Sequence, residues 1–379
     1  MAAMPDDLEA RTSQGSDGGT PEPGIRQRRL SRRLIALIAI PAAAVVALGG
    51  QRTSQVDNSA AANQQVQQLA SLGGAIAGEH GLTSDAEDEA DSVAVYIAAG
   101  KTGSASQLMV PQAHFDVTNL QVSEVTQLVD EINPQSSPAL HEALASAEAA
   151  MQRLKYSRQV ATSSHASALS AIQDYYASIG PLFALDEQIA SSSSDPTLSA
   201  DVRALDALSR AEDAASEERA VLDAVLTRGD WQPGELALLS EANGEYLAEL
   251  SEFMDGLSSA QSTAFSSEVG GRDVGIANSM LARALSTGQT GALPINLAPA
   301  TFPTAERAWY ESMTFELNQM RMFEQSLLNA IQSRSGALQT QATQTLVDTW
   351  LEVVAVLVAL LAVAVIAARR TSSGSVHWV

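Results

Sequence analysis

The chain has 379 residues, 45% of them hydrophobic but only 4% aromatic, with 22 Lys plus Arg against 44 Asp plus Glu and no cysteine. A net charge of −22 argues against a nucleic-acid partner, and the lack of cysteine excludes disulfides and thiol nucleophiles. Scarce aromatics beside plentiful Ala, Leu, Ser, Gln and Glu favour helices packed through small side chains.

Residues 1–24 (MAAMPDDLEARTSQGSDGGTPEPG) are polar and rich in Gly and Pro, and belong to a disordered basic tail that ends at residue 33. Residues 34–50 (LIALIAIPAAAVVALGG) then form one apolar run, and Trp350–Ala368 (WLEVVAVLVALLAVAVIAA) forms another. Each approaches the roughly 20 residues needed to cross a bilayer. Arg26, Arg28, Arg29, Arg32 and Arg33 flank the first, and Arg369 and Arg370 the second. Positive flanks stay in the cytoplasm, so the pattern predicts two transmembrane helices, residues 34–50 and 349–368, in a cell membrane protein with both termini inside. A cleaved signal peptide would share the basic lead, but its 33-residue length and Pro41 favour a retained anchor. Residues 51–348, with 14 basic and 38 acidic side chains, are then an extracellular domain, and residues 369–379 a cytoplasmic tail.

Within that domain the apolar period is helical throughout. A helix is expected from Gln51 to about His80, with Val66, Leu69, Gly73, Ile76 and His80 on one face and Gly81 as its stop. Ser84 and Glu87 read as a capping box for a helix reaching Ala99. A loop through Gly103 and Pro111 leads to a helix from about Phe115 to Ile132. Ser137-Pro138 and Asp195-Pro196 each read as an N-cap followed by proline at the first helical position. They open helices running to about Ile179, with room for an interruption, and to Thr227. Further helices are expected over Glu235–Leu257 and Ala260–Thr287, then an irregular connection over 288–303. From Thr304 to Ala368 there is no proline and one glycine, Gly336, which predicts a single helix running into the second apolar segment. The fold class expected is all-α: two antiparallel four-helix bundles outside the membrane, between the two transmembrane helices.

Chemical motifs are few. The five histidines are isolated and none has metal-ligand spacing, so neither a metal nor a cofactor is expected, and no residue is assigned a catalytic role. Gly73 and Gly78 have phosphate-loop spacing, but Glu79-His80 stands where Lys-Ser/Thr is required. Arg219 is the informative position. Leu205, Leu208, Glu212, Ala215, Arg219, Leu222 and Leu226 recur at 3-4 spacing and share one face, which points Arg219 inward. A buried charge needs a partner, which leaves an internal pair with Glu212 or Glu79, a waiting anion site, or snorkelling to the surface. His80 reads as a core or capping histidine, or as an anion ligand when protonated. Arg203 and Arg210 lie on another face, either solvated or lining a rim, and Tyr175, Tyr176 and Trp309 read as core aromatics.

At these residues the sequence resembles the nitrate- and nitrite-sensing (NIT) domain, found outside the membrane in bacterial receptors and notably in actinobacterial sensor histidine kinases. The resemblance covers about residues 60–345. It is strongest in 175–183 (YYASIGPLF), 201–226 (DVRALDALSRAEDAASEERAVLDAVL) and 309–338. It implies helical bundles that bind nitrate or nitrite through arginines and signal along the last helix. Arg219 matches the arginine of the second E-R motif. The first motif, usually similar to L-Q-x-E-R-G, here reads Ile76-Ala77-Gly78-Glu79-His80-Gly81, with Ala77 for its glutamine and His80 for its arginine. The lysine of the second motif is also missing, since Ala211-Glu212-Asp213 stands there. Ligand-binding candidates are therefore Arg219, His80 and Arg203. Nine residues (TSSGSVHWV) follow Arg370, so no kinase domain and no enzymatic activity are expected. The expected partners are a small anion such as nitrate or nitrite, the lipid bilayer, a second copy of the chain and a separate cytoplasmic signalling protein. The alternative is a structural or protein-interaction bundle without a small ligand.

Overall fold

The computed structural model describes residues 64–78, 80–100, 105–132, 137–162, 165–185, 188, 195–288 and 299–373, with seven isolated positions between 43 and 54. The expected tail over 1–24 lies outside the described residues. Of the first apolar segment only Ala43, Ala44, Val46, Ala47 and Gly50 are described, all helical and exposed. The chain divides into two compact units, residues 57–343 and residues 1–56 with 344–379. All regular structure among the described residues is helical.

Helix α1 covers residues 64–77 and buries Val66, Leu69, Leu72 and Ile76. It stops three residues earlier than the apolar period suggests, and the reason is glycine. Gly81 turns back so that its N–H donates to the Gly78 carbonyl at 2.7 Å. A Cβ at Gly81 would lie 2.4 Å from the Ile76 carbonyl oxygen, so no larger residue permits this approach. The turn leaves His80 exposed and outside the helix.

Helix α2 (Leu82–Ala98) follows at once, with Gly81 as its N-cap. The expected Ser84/Glu87 capping box does not form. Ser84 lies inside the helix and its hydroxyl donates to the Gly81 carbonyl at 3.1 Å, while Glu87 is fully buried. Helix α3 (Ala105–Glu131) begins ten residues before the expected start and carries Pro111 within it. Pro111 is its seventh residue, where proline forfeits the bond to the Gln107 carbonyl and crowds it, yet the helix continues past that point.

Both expected Pro-led starts are present. In α4 (Pro138–Thr162) the Ser137 hydroxyl accepts from the Leu140 N–H at 3.2 Å. The interruption falls before α5 (Ala168–Ile179), where Ser167 and Ser170 cap one another reciprocally, and a 3-10 turn follows over Gly180–Phe183. In α6 (Pro196–Arg228) the Asp195 carboxylate accepts from the Leu198 N–H at 2.8 Å. Its C-cap Gly229 has φ of 90°, the left-handed conformation that glycine adopts without strain. Helix α7 (Glu235–Gly256) comes next. The single helix expected over 260–287 is two, α8 (Ser259–Glu268) and α9 (Arg272–Gly288), because Val269-Gly270-Gly271 breaks it. Helix α10 (Ala305–Ser373) bears out the long final helix, at 69 residues.

In the larger unit α2 packs on α3, α5 and α6, α4 packs on α5, and α6 packs on α7. One contiguous apolar core runs through these helices and the first part of α10. A three-ring cluster, Phe253–Phe265–Phe323, with centroids 4.7–5.9 Å apart and near edge-to-face, fixes α7 and α8 to α10. Each such pair adds about 0.5–1.5 kcal/mol beyond area burial. Helix α1 lies alongside α10 at Gly74, where an added Cβ would meet Leu328 at an ordinary 3.9 Å. In the smaller unit the apolar end of α10 exposes Leu351, Val354, Val358, Leu361, Val363 and Ile366. By length and composition α10 is able to cross a membrane, and its apolar stretch is almost entirely unburied.

Candidate functional site

Two arginines are buried at the centre of the larger unit. Arg219 on α6 is 1% exposed and Arg321 on α10 is 4% exposed. Both point at α2, whose Glu87, Asp88 and Asp91 share one side at i, i+1 and i+4. Arg219 Nη2 donates to Asp88 Oδ1 at 2.6 Å, and its Nε lies 3.8 Å from Asp91 Oδ2. Arg321 Nε donates to Glu212 Oε1 at 2.6 Å and its Nη2 to Glu87 Oε2 at 3.1 Å. The same Nη2 lies 3.6 Å from Asp88 Oδ1, so the two guanidinium groups converge on one carboxylate oxygen. Ser216 donates to Glu87 Oε2 at 2.9 Å, and the Trp309 indole N–H donates to the Arg219 carbonyl at 3.0 Å. The Arg219 guanidinium also lies 5.9 Å from the Tyr310 ring centroid.

Carboxylates outnumber arginines here, and their proton affinities reflect it. Burial, then repulsion from Glu212, pushes Glu87 well above its usual value. Burial raises Asp91 to about 6 against the pull of Arg219, with Asp88 adding to the rise. Asp223, also on α6, is pushed well up by burial and by Asp91. Asp88 goes the other way: desolvation would raise it, but Arg219 and Arg321 outweigh that and hold it low. Asp88 is thus the ionised partner of both arginines. Its side chain is 33% exposed and forms part of the wall of a cavity of about 680 Å³.

The sequence candidates fare differently. Arg219 is buried as its periodicity predicts, but its partners are Asp88 and Asp91, not Glu212, which Arg321 takes. Glu79 lies outside the described residues. His80 is exposed in the α1–α2 turn, and Arg203 is exposed on α6. Neither joins Arg219. Arg210 pairs with Asp206 at 3.0 Å and stacks over Phe183. Tyr175, Tyr176 and Trp309 are buried, as expected of core aromatics. Arg321 escaped sequence reasoning although the signal was available: it follows the core residue Leu317 by four positions and precedes Leu328 by seven. Asp88 and Asp91 are hidden in an acidic run that resembles a solvated surface, and Glu87 has the spacing of a capping box. Among the described residues no group of three or more His, Asp or Glu could hold a metal ion.

An all-helical domain whose interior joins arginines of two helices to acids of a third is the setting in which known relatives become informative. The family model described as nitrate and nitrite sensing, NIT, matches residues 81–332, and the chain belongs to that family. The match begins at Gly81, the last residue of the altered first motif. The solved structure of the NasR transcription antiterminator is similar, with a TM-score of 0.57 over 90% of this chain and 83% of that chain. At 16% identity this likeness shows the fold alone. Comparison with curated protein sequences finds no match.

Proposed function

We propose that this chain is a receptor module rather than an enzyme: residues 51–348 sense a small ligand outside the cell, and α10 carries the response inward. The observation that carries this reading is Arg321. It sits on α10, yet its guanidinium is committed to Glu212 of α6 and Glu87 of α2. Any ligand that alters the charge balance among these acids therefore acts directly on the final helix. Breaking a buried, hydrogen-bonded pair costs about 3–5 kcal/mol, enough to shift a two-state equilibrium strongly. The arginine-flanked segments 34–50 and 349–368 serve as two membrane crossings with both termini in the cytoplasm. A second copy of the chain and a separate cytoplasmic protein complete the signalling unit.

Within the family's ligand class, nitrate and nitrite resemble a carboxylate in shape and charge. Such an anion fits where Arg219 and Arg321 converge, by displacing the partly exposed Asp88. His80 and Arg203 are not needed in this site. The test is thermal unfolding of the full chain in detergent with nitrate, nitrite and chloride. A specific ligand at 100 times its Kd should stabilise the fold by about 2.7 kcal/mol. No shift with any of the three anions sinks the anion version, and cytoplasmic labelling of the region around Glu241 in intact cells sinks the topology.

A second reading, a structural or protein-interaction bundle, draws support from one fact: Arg219 and Arg321 already have carboxylate partners. It predicts that Asp88→Asn creates no response to nitrate. The receptor reading predicts that this substitution sharpens the response, by removing the internal competitor.

A further inference from the structure

The cavity beside Arg219 is walled by α2, α3, α6 and the first turns of α10. Its charge is of the opposite sign to what an anion requires. Asp88, Asp91, Asp223, Glu306 and Glu311 line it, and the one lining arginine, Arg307, donates to Glu311 at 2.6 Å. Asp91 and Asp223 are 4% and 2% exposed, and each keeps a buried Oδ1 with no hydrogen-bond partner. Asp223 makes no ion pair among the described residues. A buried carboxylate oxygen left unbonded costs about 1–3 kcal/mol or more, so these two atoms call for a donor the chain does not supply. Arg219 gives neither oxygen a hydrogen bond: its Nη2 is committed to Asp88, and its Nε, itself without a hydrogen-bond partner, stops 3.8 Å short of Asp91 Oδ2.

Val95, Tyr96 and Pro111 give the same cavity an apolar wall, and its volume lies within the range of roughly 300–1,000 Å³ seen for small-molecule sites. Tyr96 and Tyr310 also line it, and aromatic rings attract cations. A bare metal ion is not favoured, since no metal-holding group is present among the described residues.

We propose that this cavity binds a small organic cation, a primary amine whose ammonium group is held by Asp91 and Asp223 and whose body rests on Val95, Tyr96 and Pro111. The ammonium group supplies three donors, enough for both carboxylates. Its charge also offsets the burial and mutual repulsion that push the Asp223 carboxyl up. The site adjoins the one proposed for an anion at Arg219, since Asp88 lines this cavity and Asp91 lies 3.8 Å from Arg219, but amine binding does not require an anion to be bound.

The experiment is calorimetric titration of the full chain in detergent with n-butylammonium chloride and phenethylammonium chloride. 1-Butanol serves as the neutral control and sodium nitrate as the anionic one. Saturable binding of at least one ammonium salt, without binding of 1-butanol, is expected. Asp223→Asn keeps the side-chain size, removes the charge and should weaken amine binding about tenfold or more. Val95→Trp, which fills the cavity and leaves the acids in place, should also abolish binding. The proposal is overturned by no saturable binding of either salt, by equal binding of 1-butanol, or by unchanged affinity in both variants. A nitrate signal without an amine signal sinks this site and leaves the receptor reading standing.

Discussion

Helix α2 carries two buried acid–arginine sites on different sides, and they are built on opposite plans. On one side Glu89 receives Arg158 in a bidentate pair at 2.6 and 2.7 Å. Tyr175 donates to the same carboxylate at 2.6 Å, Asn119 takes a further Arg158 N–H at 2.6 Å, and the guanidinium stacks 5.2 Å from the Phe115 ring centroid. One charge meets one charge and both carboxylate oxygens are bonded. On the other side Glu87, Asp88, Asp91, Glu212 and Asp223 crowd two arginines, and Glu87, Asp91 and Asp223 each leave an oxygen unbonded. The balanced site has the economy of a structural staple. An unbalanced one stores repulsion that a proton or a ligand can relieve, and it lies against the cavity and the final helix.

The strongest way to break this contrast is to remove an arginine from the crowded side. Arg219→Ala or Arg321→Ala leaves buried acids without their cation and should cost about 3–5 kcal/mol in denaturant unfolding. A loss below about 1 kcal/mol would mean that the acids are neutral or hydrated and the network carries little. The two sides should next diverge when an acid is made neutral. Glu89→Gln breaks a balanced pair and should cost about 2–4 kcal/mol, whereas Glu87→Gln should stay within about 1 kcal/mol because its crowded carboxyl already favours the proton. Equal losses at the two positions would erase the distinction.

The turn that places α2 can be tested by Gly81→Ala. The added Cβ would sit 2.4 Å from the Ile76 carbonyl oxygen, so backbone must move, at about 1–3 kcal/mol. A wild-type melting temperature would show that the approach of α1 to α2 is slack.

A smaller effect comes from pH. Burial raises Asp91 to about 6, Glu217 and Glu316 to about 7, and Glu218 to about 8. These carboxyls hold protons in the fold that the unfolded chain releases near its ordinary value of about 4. Their contribution is therefore fully present at low pH and is lost as pH rises through about 6 to 8. The lowered Asp88 acts in the opposite sense, but only below its ordinary range. Calorimetric melting should give a temperature lower by a few degrees at pH 8 than at pH 5, and a rise would contradict the excess of buried acid. The smallest effect belongs to Arg203→Ala, which removes an exposed charge and should change stability by less than about 0.5 kcal/mol.

Much of the fold was legible because its signals are local. Ser137-Pro138 and Asp195-Pro196 mark helix starts through caps made within four residues, and the run from Thr304 shows a long helix by lacking breakers. The inward direction of Arg219 followed from the 3.6-residue period alone. At Glu87 a contact distant in sequence overrides the local pattern. The Ser84/Glu87 capping pattern is met locally, yet Gly81 is the N-cap and Glu87 is drawn inward to Arg321, 234 positions away.

The sequence by itself determined that this is an acidic, cysteine-free helical chain of the NIT family, with an inward arginine and a final helix that becomes apolar. Only the tertiary structure decided that Asp88 rather than Glu212 answers Arg219, and that Arg321 completes the cluster. The reason is geometric. Periodicity fixes the face a side chain lies on, but its partner depends on the rotation and axial register of three packed helices. Among many nearby acids the sequence weights nearly equally, a shift of one turn exchanges the partners.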